Sequence, residues 1–145
     1  MVFGKGCLHA HVVPEKIKKW LTEEEYPFIQ LIGETARNEL FNYLVTLPSK
    51  TKINVVQSSH RKDSLCVSVV LPFFGEQATS KKQKLFSKMR FKLVPVDVTL
   101  DFMDDKIVAS HMIYYDGLTK DRLFRAISTV KKAYGLLDLV LKKNL

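Results

Sequence analysis

The 145-residue chain carries 23 lysines and arginines against 15 aspartates and glutamates, a formal net charge of +8. Its 46% hydrophobic and 26% charged content is that of an ordinary soluble globular protein, long enough for one domain with a proper core. No apolar run approaches the roughly 20 residues of a membrane-spanning helix, and the positive balance suits RNA, DNA or an acidic protein as partner.

The first stretch, MVFGKGCLHAHVV, has no clear period and no convincing export signal. Residues 1–13 read as a tail or short extra strand ahead of one domain over residues 14–145. With Cys7 and Cys66 as the only cysteines, a reduced, cytoplasmic setting is expected. Cys7, His9 and His11 would share one side of an extended strand. A zinc site needs a fourth ligand and usually shows paired ligands in two places, so no metal is assigned and an exposed tail is the simpler reading.

Pro14-Glu15-Lys16 opens a helix, with proline tolerated in the first turn. Ile17, Trp20 and Leu21 form its apolar face, and Glu23–Glu25 oppose the helix dipole, so it should stop there, ahead of Pro27. Four strands follow: Phe28–Ile32, Leu40–Leu47, Lys52–Gln57 and Ser64–Leu71. The links are too short for crossovers, so neighbours should be antiparallel. In the last of these, Leu65, Val67 and Val69 share one face, and Cys66 reads as a small buried hydrophobe on the other.

Glu76–Leu93 returns to helical period, with Ala78, Leu85, Phe86, Met89 and Leu93 inward. Its outer side carries Lys81, Lys82, Lys84, Lys88, Arg90 and Lys92, the densest positive patch in the chain. Such a run is usually a solvated helix face; its functional alternatives are a phosphate-facing surface or a dock for an acidic protein. Arg61, Lys62 and the tail would extend a nucleic-acid surface. Val96–Met103 alternates as a strand, Asp104-Asp105 turns, and Lys106–Tyr115 pairs back. His111 sits among apolar strand residues as a hydrogen-bonded structural histidine. Asp97, Asp101, Asp104 and Asp105 read as the wet face and tip of a hairpin rather than an acid–base site.

The chain ends on its strongest pattern. Leu123, Ile127, Val130, Tyr134, Leu137 and Leu141 recur at steps of four and three, which places them on one helix face. Phe124, Ala126, Ala133 and Val140 widen the stripe. Thr119–Leu141 is therefore the helix that closes the core, capped by Thr119 or Asp116. Gly117 is expected at positive φ in a tight turn, and Gly135 to mark a close approach to another backbone. The class that follows is α+β: an antiparallel sheet of five to six strands with three helices, in the order α-β-β-β-β-α-β-β-α.

The KINVVQ run, the FSKMRFKL segment with its following VDV strand, and above all IYYDGLTKDRLFRAISTVKKA resemble an uncharacterised, mainly archaeal domain family. That family is related in architecture to YbjN-like proteins and type III secretion chaperones, and the similarity spans roughly residues 17–143. The resemblance implies the same order of elements and, by analogy of fold, a protein-binding or chaperone-like role, with homodimers as an expectation. No catalytic residues carry over from it. No nucleophile–base or acid–base pair can be assembled from these residues either, so the chain reads as a non-enzymatic binding module without a cofactor. The alternative is an RNA- or ribosome-associated basic protein.

Overall fold

In a computed structural model of the chain, the described residues are 12–31, 39–58, 63–72, 79–103 and 106–143. Helix α1 (Val13–Glu23) is followed by β1 (Phe28–Gln30), β2 (Glu39–Thr46), β3 (Lys52–Ser58) and β4 (Ser64–Pro72). Then come α2 (Thr79–Leu93), β5 (Thr99–Met103), β6 (Lys106–Tyr114) and α3 (Lys120–Lys143). The six strands form one sheet in the order β1-β2-β3-β4-β6-β5, and every pair is antiparallel. The architecture is the α+β one expected, with six strands.

Register explains which residues face the helices. Val67 of β4 lies opposite Val55 of β3 and His111 of β6, and Val69 lies opposite Ala109. Strand pleating puts every second residue on the same side. Phe41, Tyr43 and Val45, then Ile53, Val55 and Gln57, then Leu65, Val67, Val69 and Leu71, with Ile107, Ala109 and Ile113, are accordingly all buried. Helix α1 brings Val13, Ile17 and Leu21 to this core, and α2 brings Leu85, Met89 and Leu93. Helix α3 brings eight buried residues, from Leu123 to Leu141. The opposite face of the sheet is open: Val70, Met112 and Tyr114 are exposed there, and Leu44, Val56, Cys66 and Val108 are half-buried.

Helix ends follow local chemistry. The Thr119 hydroxyl accepts from the Arg122 amide at 3.1 Å, the N-cap bond that satisfies an otherwise orphaned donor of α3. Along α3, Asp121–Arg125 and Asp138–Lys142 are ion pairs four residues apart, each at 2.9 Å. Helix α1 ends in a Schellman turn. The Tyr26 amide donates to Leu21 O and the Glu25 amide to Thr22 O, with Glu25 at φ 60°. The acidic end of α1 meets the start of α3, where Lys120 bridges Glu24 at 2.8 Å and Glu23 at 3.5 Å. The hydrogen bond to Glu24 raises the Lys120 pKa.

Several local expectations are corrected. Gly117 has no left-handed backbone; it closes a short 3₁₀ turn, Tyr115–Gly117, where an added Cβ would come within 2.7 Å of the flexible Arg122 Nη1. A Cβ added at Gly135 would meet no described atom within 4 Å beyond its own helix turn, so the residue marks no close approach of another described backbone. The strand expected from Val96 starts at Thr99; Val96 is buried in the turn that ends α2, its amide bonded to Leu93 O at 2.8 Å. Cys66 is half-buried on the open face rather than sealed in the core, and burial still pushes its thiol pKa up. The expectations for Cys7, His9, His11, Asp104 and Asp105 fall outside the described residues.

Candidate partner-binding surface

The basic residues of α2 divide by what surrounds them. Lys84, Lys88 and Lys92 follow one another at steps of four, so they stack in a row along one side of the helix. All three are exposed, while Lys82 is half-buried. Arg90 is exposed too, but its guanidinium lies 4.8 Å from the centre of the Phe102 ring, a cation–π contact at the sheet's edge. Phe102 also stacks on Phe86 at 3.8 Å between centroids, which pins α2 over β5. Lys81 is placed by its backbone in the first turn of α2; Arg61 and Lys62 lie outside the described residues. A continuous track joining Arg61 and Lys62 to α2 therefore has no geometry to describe.

Two of the row, Lys88 and Lys92, contribute to something the sequence did not indicate. With Ser87, Phe91, Val140 and Lys143 they line a groove of about 630 Å³ between α2 and α3. Apolar side chains are exposed at the same ends of these helices: Phe91 and Val94 are each 77% exposed, and Leu139 is 55% exposed. The sequence signal was available in FSKMRFKLV, where Phe91 falls out of the inward stripe of Leu85, Met89 and Leu93. A phenylalanine on a lysine-bearing helix face lies outside the core that the helix otherwise serves.

A second hollow, of about 360 Å³, lies where β6 runs on beyond the start of β5, and its lining includes Asp97, His111, Arg122 and Arg125. His111 Nδ1–H donates to the backbone oxygen of Asp97 at 2.7 Å, which fixes the ring as a strut between β6 and the turn before β5. That is the structural role expected of it. Arg125 is paired with Asp121. The other buried polar groups offer no chemistry to this hollow. Burial raises the Tyr115 hydroxyl pKa, with the Asp63 charge adding to the effect, so the group stays protonated. Gln57 is fully buried in the core, and neither amide atom has a hydrogen-bond partner among the described residues. Among the described residues no group of three or more His, Cys, Asp or Glu side chains could hold a metal ion, and no helix is long and apolar enough to cross a membrane.

Comparison with known proteins now has a geometry to refer to. Residues 13–141 match the model of a family described as "Uncharacterized conserved protein (DUF2299)", and the chain belongs to that family. Nothing among curated proteins matches it. The fold is similar to the crystal structure of an uncharacterised protein from Methanothermobacter thermautotrophicus, with a TM-score of 0.75 and 25% identity over 89% of this chain and 96% of that one. It is also similar to YbjN from E. coli, at a TM-score of 0.52 and 13% identity over 90% of each chain. A chain of the HopA1–SchA chaperone–effector complex gives a TM-score of 0.60 at 10% identity, covering 89% of this chain and 95% of that one. These agreements at low identity are of fold, and they match the architecture the sequence pattern implied.

Proposed function

We propose that this member of the DUF2299 family is a non-enzymatic, protein-binding module with a chaperone-like role. The observation that carries the reading is the exposed apolar surface at the end of α2: Phe91 stands in solvent and lines a groove, and Val94 just after the helix is equally exposed, so burial in a partner would be favourable. Fully burying a phenylalanine side chain contributes about 1.5–3 kcal/mol, an incentive to associate. Further support comes from likeness to a chain of a chaperone–effector complex and, at a TM-score of 0.55, to a chain of the ExsC–ExsE complex; both structures were determined as protein complexes. Among the described residues, the groups whose pKa burial raises are Tyr43, Tyr115 and the half-buried Cys66 thiol rather than an acid–base pair in a cleft.

Affinity capture with the full chain as bait tests this against the RNA reading, which rests on charge alone. The expected result is one or more proteins that remain bound after nuclease treatment and at raised salt. Recovery of RNA alone, lost steeply as salt rises, would replace the protein reading with the RNA one.

A further inference from the structure

Helix α3 carries three cations in its first two turns, and their partners differ. Lys120 bridges Glu23 and Glu24, and Arg125 pairs with Asp121. The Arg122 guanidinium has no hydrogen-bond or ion-pair partner among the described residues; the bond that Arg122 does make is through its backbone amide, to the Thr119 hydroxyl. Its guanidinium is nevertheless placed. It lies against the Tyr115–Gly117 turn, where a Cβ on Gly117 would stand 2.7 Å from Nη1 and 3.2 Å from Cζ. The bare glycine leaves the room that this group occupies.

The same arginine lines the hollow of about 360 Å³ beside β6. Arg125, Ala126 and Thr129 line it too, and steps of three and four along α3 set them in one strip with Arg122. His111 and the buried Ile113 supply wall from β6. Asp97 marks the opposite end, its carboxylate 3.7 Å from His111 Nδ1. The hollow is thus polarised: guanidinium groups on the helix side, a carboxylate by the turn before β5, and apolar surface at Ile113 and Ala126.

We propose that this hollow binds a small organic anion, its carboxylate or phosphate held by the Arg122 guanidinium and its apolar body resting on Ile113 and Ala126. A guanidinium presents a planar fork of donors that meets either oxyanion with two parallel hydrogen bonds. Thr129 adds a hydroxyl on the same strip. The volume lies at the small end of the range for ligand pockets, which suits a small molecule. A second anionic group on the ligand would meet Asp97, so a single oxyanion is favoured over a dicarboxylate. A bare inorganic ion would leave the apolar walls uncovered. The site is separate from the α2/α3 groove and independent of the protein-binding reading.

Titration of the full chain, followed through its backbone amides by nitrogen-15 NMR, tests it with four probes: phenylacetate, phenyl phosphate, the neutral phenylacetamide and inorganic phosphate. One or both organic anions should shift the Ile113, Arg122 and Thr129 signals saturably in the millimolar range, and which of the two binds identifies the oxyanion. Phenylacetamide and inorganic phosphate should bind at least about tenfold more weakly. Arg122→Gln should weaken the organic anion at least about tenfold. Gly117→Ala should weaken it several-fold by displacing the guanidinium, and should melt like the parent because only a flexible side chain has to move. Lys84→Glu, on the exposed side of α2, changes the net charge more than Arg122→Gln does and should leave binding unaltered. Equal binding of phenylacetamide, tightest binding of inorganic phosphate, no saturable shift at these residues with either organic anion, or indifference to Arg122→Gln or to Gly117→Ala each overturns the proposal.

Discussion

Helices α2 and α3 lie on the same face of the same sheet, yet they are built differently. Helix α3 commits eight residues to the core, has a threonine cap, and carries ion pairs along its exposed side. Helix α2 buries Leu85, Met89 and Leu93 and is held at the sheet's edge by the Phe86–Phe102 stack. Its charged residues are all cations, with a phenylalanine 77% exposed among the lysines. A helix whose polar face is self-neutralising is finished by its own chain. One whose exposed charges share a sign and which exposes an aromatic ring is the one the proposed binding role draws on. On that proposal stability is concentrated in α3 and recognition in α2.

The sharpest way to break that contrast is to remove a core side chain from each helix. Ile127→Ala on α3 should cost about 2–5 kcal/mol through lost contacts and a cavity, read from urea unfolding midpoints. Met89→Ala on α2, at a site with no exposure, should fall at the lower end of that range, about 2 kcal/mol, because the helix sits at the sheet's edge where neighbours can close in. If Met89→Ala proved the more damaging, α2 would be the structural helix and its exposed face incidental. Gly135→Ala should stabilise by about 1 kcal/mol, since the new methyl meets nothing within 4 Å; thermal melting would register the gain. The smallest effect comes from charge: Lys84→Glu, which places an acid four residues ahead of Lys88, should stabilise by a few tenths of a kcal/mol, read from the same urea midpoints.

The strands and α3 were legible because their apolar residues recur at the period of the element, and burial follows period. His111 was legible for the same reason, as a polar residue on an apolar face needs one good partner. What escaped was set by contacts distant in sequence. The Glu25 turn at φ 60° carries no glycine to announce it. Gly117 looked like a left-handed turn residue, but its neighbours take up a 3₁₀ turn in which any residue has an allowed φ. Cys66 was misjudged because its strand does not reveal that, among the described residues, no helix covers the far face of the sheet. The α2/α3 groove exists only once two helices separated by a hairpin are brought together, so the lysines were visible and the cleft they border was not. The burial of Gln57 without a described partner was equally invisible, since the end of a polar-flanked strand gives no sign of it.

The pairing of β4 with β6 has a kinetic consequence. Strands β1 to β4 follow one another as neighbours, so each hairpin closes only a short loop. The nine-residue register from Ser64↔Tyr114 to Pro72↔Lys106 instead closes a loop that contains all of α2 and β5. The entropy of that closure must be met before α3 can settle on the finished surface. Folding should therefore be limited by the arrival of β6, with the meander formed ahead of it. Substitutions at the β4–β6 seam, such as Ala109→Gly, should then slow refolding in stopped-flow measurements, whereas truncations on the exposed side of α2 should leave that rate alone.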